Sequence, residues 1–348
     1  MNYFSFSKTY FIAEIGSNFD GSKERAFKLI DLAKESGADA AKFQNYDASS
    51  LIAQKGFDKL TNNTHQKAWR ESVFDTYRKA ELQITWVKDL AEYCNKVGLH
   101  FLSSAYSPEL LRLIVDHIPF IKIGSGDISD IDFIKFASSL GKPIALATGA
   151  SSIEDVVRAV EAVDNKVDLC IMQCNTNYES IADHHKFQNI LALKTFKSIF
   201  PSQEVGLSCH MKSNLSVYLS VALGAKVIEK HFTDDATRDG PDHKFALTPF
   251  EFKTMVEKTR IVESLLGDGE KKVEANEVAT YNAQRRSIFA SKNLEEGHIL
   301  LESDLVFLRP YLHSGYHPYE NEKLIGKQLS KDLMAHDPIL HSSILEEN

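Results

Sequence analysis

The sequence predicts a (β/α)8 barrel followed by a small C-terminal domain of short strands and turns. Three observations carry the prediction. Short β-rich runs alternate with helical stretches eight times between Tyr10 and Leu266, a pattern that means a parallel sheet covered by helices. Eight such units at this length fit a closed barrel better than a doubly wound sheet, and no Gly-x-Gly-x-x-Gly opens the first strand–helix turn. From Gly267 onward the alternation stops.

The first run is Tyr10 to Gly16. Turn residues follow over Asn18 to Ser22, and Lys23 to Ser36 reads as an amphipathic helix: Ala26, Leu29, Ile30 and Ala33 fall at i, i+3, i+4 and i+7, and Gly37 stops it. The second run, Ala40 to Gln44, leads into a polar excursion with a weak helix near Lys67 to Thr76 and a stronger one from Glu81 to Val97. Further strands are expected at His100–Ser104, Phe120–Ser125, Pro143–Thr148, Val167–Cys174, Glu204–His210 and Lys226–Phe232. Helices are expected near Pro108–Asp116, Ile131–Leu140, Ile153–Val163, His185–Phe200, Asn214–Leu223 and Pro249–Leu266. The barrel is thus placed over residues 1–267, a polar linker over 268–284, and a separate small domain over 285–348, with short apolar runs at Ser287–Ala290, Ile299–Leu301, Leu305–Leu308 and Ile339–Leu340.

Composition narrows the function classes. Of the 348 residues, 43% are apolar and 25% charged, the balance of a soluble globular protein. Lys and Arg total 40 against 48 Asp and Glu, a net charge of −8, which argues against a general nucleic-acid binder or a polybasic membrane-surface protein. No run approaches the roughly 18 apolar residues of a membrane span, and Met1 to Tyr10 shows no secretory core. The four cysteines, Cys94, Cys170, Cys174 and Cys209, have no disulfide or zinc-ribbon spacing. A reducing cytoplasm is the expected compartment, with Cys170 and Cys174 as buried thiols.

In such a barrel the chemistry sits at the C-terminal ends of the strands, and here all eight ends are polar: Glu14, then Lys42 and Gln44, Ser103-Ser104, Lys122 with Gly124-Ser125-Gly126-Asp127, Thr148-Gly149, Asn175-Thr176-Asn177-Tyr178, Ser208-Cys209-His210, and Glu229-Lys230-His231. His210 and His231 end consecutive strands about 4.8 Å apart. They either share an open-sided cation such as Mn²⁺ or Mg²⁺, or act as a hydrogen-bonded core pair or a proton-transfer pair. Lys42 and Lys122 are charges in apolar strands and each requires an anion. That anion is either a barrel carboxylate, Glu14 or Glu229, or a phosphate or carboxylate of a ligand, which the Gly-Ser-Gly loop would also suit. Lys230 alternates with its neighbours and suits the outer helices equally well. The polar loop from Asp234 to Lys244 follows the last strand and is either solvated or in contact with substrate.

These residues resemble the sialic acid synthase family. The likeness is carried by Phe11-Ile12-Ala13-Glu14-Ile15-Gly16-Ser17-Asn18, Gly37-Ala38-Asp39-Ala40-Ala41-Lys42-Phe43-Gln44, Lys122-Ile123-Gly124-Ser125-Gly126, Gly206-Leu207-Ser208-x-His210, Glu229-Lys230-His231-Phe232 and Gly240-Pro241-Asp242-His243. In the tail, Arg285-Arg286-Ser287, Arg309-Pro310 and Leu324-Ile325-Gly326-Lys327 look like the antifreeze-like (SAF) domain of these enzymes.

The resemblance implies condensation of phosphoenolpyruvate with an aldose, typically N-acylated, to a nine-carbon 2-keto acid, by a carbon–carbon bond-forming transferase. It implies His210 and His231 as ligands of a divalent metal, Mn²⁺ first, with Mg²⁺ or Co²⁺ as alternatives. Lys42, Ser104, Lys122, Ser125 and Ser208 would surround phosphoenolpyruvate, and Glu14 would handle the proton of the attacking water. Gln44, Asp127, Thr176, Tyr178 and Asp242 would touch the sugar. Arg309 would reach the N-acyl group from a partner chain, which implies a domain-swapped homodimer with no nucleic-acid or membrane partner.

The chain departs from the family pattern at Phe19, where the family has His, and at Cys209, where it has Asp before the ligand histidine. Asp127 stands for Glu, Pro is missing after Tyr178, and His313 to Pro318 replaces a Gly-rich turn. Most departures fall at the sugar end, so the resemblance implies the reaction and not the aldose. A Schiff-base aldolase using Lys122 is opposed by the His pair and the second lysine, and a non-catalytic sugar- or ice-binding protein by the intact polar rim.

Overall fold

A computed structural model of the protein describes residues 2–57, 59, 71–177 and 184–345. The chain divides into two compact units, residues 1–267 and 268–348. In the first, strands β1 (Tyr10–Gly16), β2 (Ala40–Asn45), β3 (His100–Ala105), β4 (Ile121–Ile123), β5 (Ile144–Ala147), β6 (Leu169–Cys174), β7 (Glu204–Cys209) and β8 (Val227–His231) form one sheet in the order β3-β2-β1-β8-β7-β6-β5-β4. Every pairing is parallel, and β1 pairs with both β2 and β8. Sequential neighbours with first and last strands adjacent is the ring order of the predicted barrel. At the remaining seam, between β3 and β4, the Ser104 hydroxyl donates to the Lys122 carbonyl at 3.1 Å.

A helix follows each strand: Lys23–Glu35, Val87–Val97, Pro108–Ile114, Ile131–Ser139, Ile153–Glu161, Ala192–Ile199, Leu215–Ala222 and Pro249–Leu266. The first is capped by Ser22, whose side chain accepts from the Arg25 amide, and it buries Ala26, Leu29, Ile30 and Ala33, the predicted stripe. All seven residues of β1 are buried, because one face meets the barrel interior and the other meets helices. Rings of Tyr3, Phe4, Phe6, Tyr10 and Phe120 pack together beside the N-terminal ends of β1 and β4. All four cysteines are buried and reduced. No helix among the described residues is long and apolar enough to cross a membrane.

Three helices differ from expectation. The helix expected from Glu81 starts at Val87, after a 3-10 turn at Ile84–Trp86. Glu81 stays extended and accepts from the Ala48 amide at 2.8 Å, which ties down the excursion after β2. The helix expected near Lys67 to Thr76 is found at Val73–Ala80, where Ser72 caps it by accepting from the Asp75 amide; residues 67–70 lie outside the described residues. The helix expected from His185 to Phe200 is a 3-10 turn, His184–Phe187, and a helix, Ala192–Ile199. Asn189 between them has φ +43°, which no continuous helix accommodates.

In the second unit β9 (Ser287–Ala290) and β10 (Leu305–Leu308) pair antiparallel. Isolated bridges such as Leu294 with Leu333 and Ile299 with Gln328 complete it, around a core of Ile288, Ala290, Leu294, Leu300, Leu324, Leu329, Leu333 and Ile339. Residues 268–284 carry a 3-10 turn, Ala275–Glu277, and a short helix, Val278–Gln284, with no buried side chain.

Candidate active site

Strand register decides which side chains meet inside the barrel. It sets Glu14 level with Lys42 on one side and with His231 on the other, Gln44 level with Ser104, and Ser208 level with Glu229. Alternate residues face the same way, so the polar ends of the strands converge. Glu14, Lys42, Gln44, Ser104, Lys122, Ser125, Asp127, Thr176, Ser208, His210, His231 and Asp242 line one cavity of about 490 Å³, together with Glu229. Tyr178 lies outside the described residues. Arg309 follows β10 in the second unit and is exposed.

The two lysines find barrel carboxylates. Lys42 Nζ donates to Glu14 Oε2 at 2.8 Å and lies 3.9 Å from Glu229 Oε2, while Lys122 Nζ is 3.7 Å from Glu229 Oε1. Two ammonium groups face two carboxyl groups in a buried quartet, so each charge has an opposite partner that offsets its desolvation. Burial pushes Glu14 up to about 7, against the pull of Lys42. Burial also opposes the charge of Glu229, but Lys122 and Lys42 outweigh it and hold that carboxyl below its ordinary value. The Gln44 amide donates to Glu14 Oε1 at 2.6 Å, and Ser208 donates to Glu229 at 3.3 Å. Lys230 points the other way: it is buried outside the barrel, donating to the Met211 carbonyl, to the Ser213 carbonyl at 3.4 Å and to Cys209 Sγ at 3.5 Å.

His210 and His231 lie side by side with ring centroids 5.2 Å apart, and Phe245 packs against both. His210 Nδ1 is 3.0 Å from the Asn175 carbonyl. A carbonyl only accepts, so Nδ1 carries the hydrogen and Nε2 keeps its lone pair. Burial lowers His210 to about 4 and His231 well below its ordinary range. Both rings are neutral near pH 7, the state a metal ligand requires. Among the described residues no group of three or more His, Cys, Asp and Glu converges as a cation site. The two adjacent neutral imidazoles could together hold a cation whose other positions are filled by water or substrate oxygens.

Among the other lining carboxyls, burial raises Asp127 to about 6 and also raises Asp242. Asp242 Oδ2 accepts from the Ser17 amide at 3.3 Å. Gly16 permits this approach: its φ is +53°, and a Cβ there would stand 2.6 Å from Asp242 Oδ2. Gly16→Ala is expected to destabilise the protein by about 1–2 kcal/mol through left-handed strain. It is also expected to raise the KM for whatever Asp242 binds; unchanged kinetics would show that Asp242 is idle. Ser17, Tyr46 and Tyr106 also line the cavity and were missed as site residues. The two tyrosines directly follow β2 and β3, so the rule that singled out the other strand ends applied to them too.

A model of the NeuB family matches residues 29–271, and a SAF-domain model matches residues 285–345. The chain belongs to the NeuB family. It is 33% identical over 346 residues to a pseudaminic acid synthase of Campylobacter jejuni, covering 98% of each chain. It is 32% identical over 342 residues to an N,N'-diacetyllegionaminic acid synthase of Legionella pneumophila, covering 96% of this chain and 94% of that one. Among solved structures, the N-acetylneuraminic acid (sialic acid) synthetase of Leptospira borgpetersenii superposes with a TM-score of 0.69 at 26% identity, over 79% of this chain and 90% of that one.

Within this NeuB-family barrel, two of the departures fall away from the cavity. Phe19 is fully buried, with its ring 6.2 Å from Phe43 and 6.3 Å from Trp86, so it serves the core. Cys209 does not support His210: its sulfur faces Ser216 Oγ at 3.2 Å and Lys230, on the helix side of β7.

Proposed function

We propose that the protein condenses phosphoenolpyruvate with an N-acylated or related aldose, giving a nine-carbon 2-keto acid and phosphate. The observation that carries this reading is the buried quartet of Lys42, Lys122, Glu14 and Glu229 beside two neutral imidazoles at one barrel mouth. Lys42 and Lys122 bind the phosphate and carboxylate of phosphoenolpyruvate, with Ser104, Ser125 and Ser208 supplying hydroxyls, and this fixes C3 against the aldehyde. C3 attacks the aldehyde carbon, whose oxygen becomes an alkoxide, positive charge develops at C2, and water adds there as it gives a proton to Glu14, which passes one on to the alkoxide. Phosphate then leaves with cleavage of its bond to C2, taking up the proton that the new hydroxyl loses as it becomes the ketone; the lysines stabilise the departing charge. Gln44, Asp127, Thr176 and Asp242 hold the aldose hydroxyls; Tyr178 joins them in this proposal on the sequence resemblance alone. His210 and His231 would hold a divalent cation, Mn²⁺ before Mg²⁺ or Co²⁺, which when bound supplies Lewis acidity at the aldehyde oxygen. A domain-swapped homodimer, in which Arg309 meets the acyl group in a partner barrel, and a cytoplasmic setting belong to the same proposal and rest on the sequence resemblance.

The test is phosphate release from phosphoenolpyruvate with a panel of aldoses: N-acetylmannosamine, mannose, their 6-phosphates and 2,4-diacetamido-2,4,6-trideoxyhexoses. Release with one of them, abolished by a chelator and restored by Mn²⁺, is the expected result. Chelator-indifferent turnover of free pyruvate, with a lysine trapped by borohydride, would replace the reading with a Schiff-base aldolase.

A further inference from the structure

The loop after β8 brings Asp242 to the cavity. A second cavity of about 560 Å³ lies against the same loop, lined by Asp20, Gly240 and Pro241 among others, and Ser17 and Pro241 line both cavities. Polar contacts tie this loop to the loop after β1.

The residue after Asp242 makes the central contact. His243 is fully buried. Its Nε2 lies 2.9 Å from Asp20 Oδ1, and its Nδ1 lies 2.8 Å from Thr233 Oγ1 at the end of β8. Asp20 sits in the β1 loop with φ +51°, an uncommon conformation for a residue other than glycine. Its other oxygen accepts from Arg238 Nε at 2.9 Å, and Arg238 belongs to the same β8 loop as His243. Two further contacts lie nearby: Asn18 donates to the Phe232 carbonyl at 2.9 Å, and Arg25, in the first turn of the first helix, donates to Asp234 at 3.0 Å. Gly240 allows the loop to fold over the ring, since a Cβ there would stand 2.6 Å from His243 Cδ2.

We infer that Asp20 and His243 are positioning residues for the aldose: through a latch between the β1 and β8 loops they fix the carboxylate of Asp242, and they leave the phosphoenolpyruvate end alone. The inference rests on the proposed reading only in assigning Asp242 to the aldose. Neither residue is among the groups given a part in the chemistry. Lys122 and the three serines belong to strands or strand ends that the latch does not touch, and Lys42 feels Asp242 only as one of the weaker charges acting on it. A buried imidazole that loses its carboxylate partner must find another or move, and Asp242 is bonded to it through the chain.

The experiment uses Asp20→Ala and Asp20→Asn in the full chain, with separate KM values for aldose and phosphoenolpyruvate and amide hydrogen exchange across 234–246. Asp20→Ala is expected to raise the aldose KM about 10- to 100-fold, the scale of a side chain displaced by an ångström. The phosphoenolpyruvate KM should stay within about twofold, and exchange in the β8 loop should quicken while that in β1–β8 does not. Asp20→Asn keeps an oxygen for His243 and is expected to recover most of the loss. Equal rises in both KM values, or unchanged loop exchange in Asp20→Ala, would overturn the latch. If Asp20→Ala fails to fold, an aldose KM for Asp20→Asn as high as a tenfold increase with normal loop exchange overturns it as well. A wild type that releases no phosphate with any aldose defeats the proposed function alone, and loop exchange then decides the latch.

Discussion

Replacing Glu14 by Gln is expected to lower kcat by about a thousandfold, the middle of the range for a lost general base, while the KM for phosphoenolpyruvate changes only a few-fold. Glutamine keeps the shape and leaves an oxygen for Lys42, which Glu14 now meets at 2.8 Å. What it removes is the proton acceptor. Burial raises Glu14 to about 7 despite Lys42, so its titration falls within the range in which activity is measured. Only the ionised carboxylate accepts a proton from water, so kcat/KM should rise with pH through about 7. A bound cation favours the carboxylate and moves that limb lower. The Gln variant should lack the limb altogether. Measuring kcat/KM from pH 5 to 9 for both proteins decides the matter: a variant that keeps the wild-type profile at a tenth or more of its rate removes Glu14 from the proton transfer.

The barrel was legible because its strands are buried on both faces and read as largely apolar runs, with polar residues gathered toward their C-terminal ends. β1 runs over the seven residues expected, Tyr10–Gly16. β4 is shorter than its pattern, Ile121–Ile123 against Phe120 to Ser125, because Ser125–Asp127 turns into a 3-10 helix over the cavity. Periodicity sees an apolar run but not the point at which its backbone leaves the ladder. The site was legible as a set of strand-end polar residues and much less as a set of partnerships. Sequence left Lys42 and Lys122 between barrel carboxylates and a ligand; register resolved the first half by placing Glu14 beside Lys42, and Glu229 within reach of both lysines. Tyr46 and Tyr106 escaped notice because an aromatic ring after a strand reads as core, and only the assembled mouth shows them facing Ser17 and Gln44. The Asp20–His243 contact joins residues 223 positions apart and has no local signature at all.

Lys42→Met should show the largest loss of stability, and the loss should depend on pH. Lys42 is 3% exposed and its nitrogen serves both Glu14 and Glu229. Methionine fills much of the same volume but leaves a buried carboxylate without its nearest counter-charge, a change that costs about 3–5 kcal/mol when the charge must stay. The sign follows from the shifts. Burial depresses the lysine, but Glu14 and Glu229 outweigh it and raise Lys42 above its ordinary value, so its contribution is present throughout the neutral range and fades only in strong alkali. Glu14 is raised too, so the fold favours its protonated form. That preference stabilises fully below the unfolded carboxyl value and is lost as pH rises through about 7. Without Lys42 the Glu14 value climbs further. At pH 5.5 the variant therefore holds Glu14 neutral and avoids most of the penalty. At pH 8 it must either ionise Glu14 unpaired or take up a proton against the solution. Denaturant unfolding of wild type and variant at the two pH values should give a markedly larger difference at pH 8. Equal differences would mean that Lys42 and Glu14 are not electrostatically linked in solution, and the balance that lets the site hold two buried lysines would need another source.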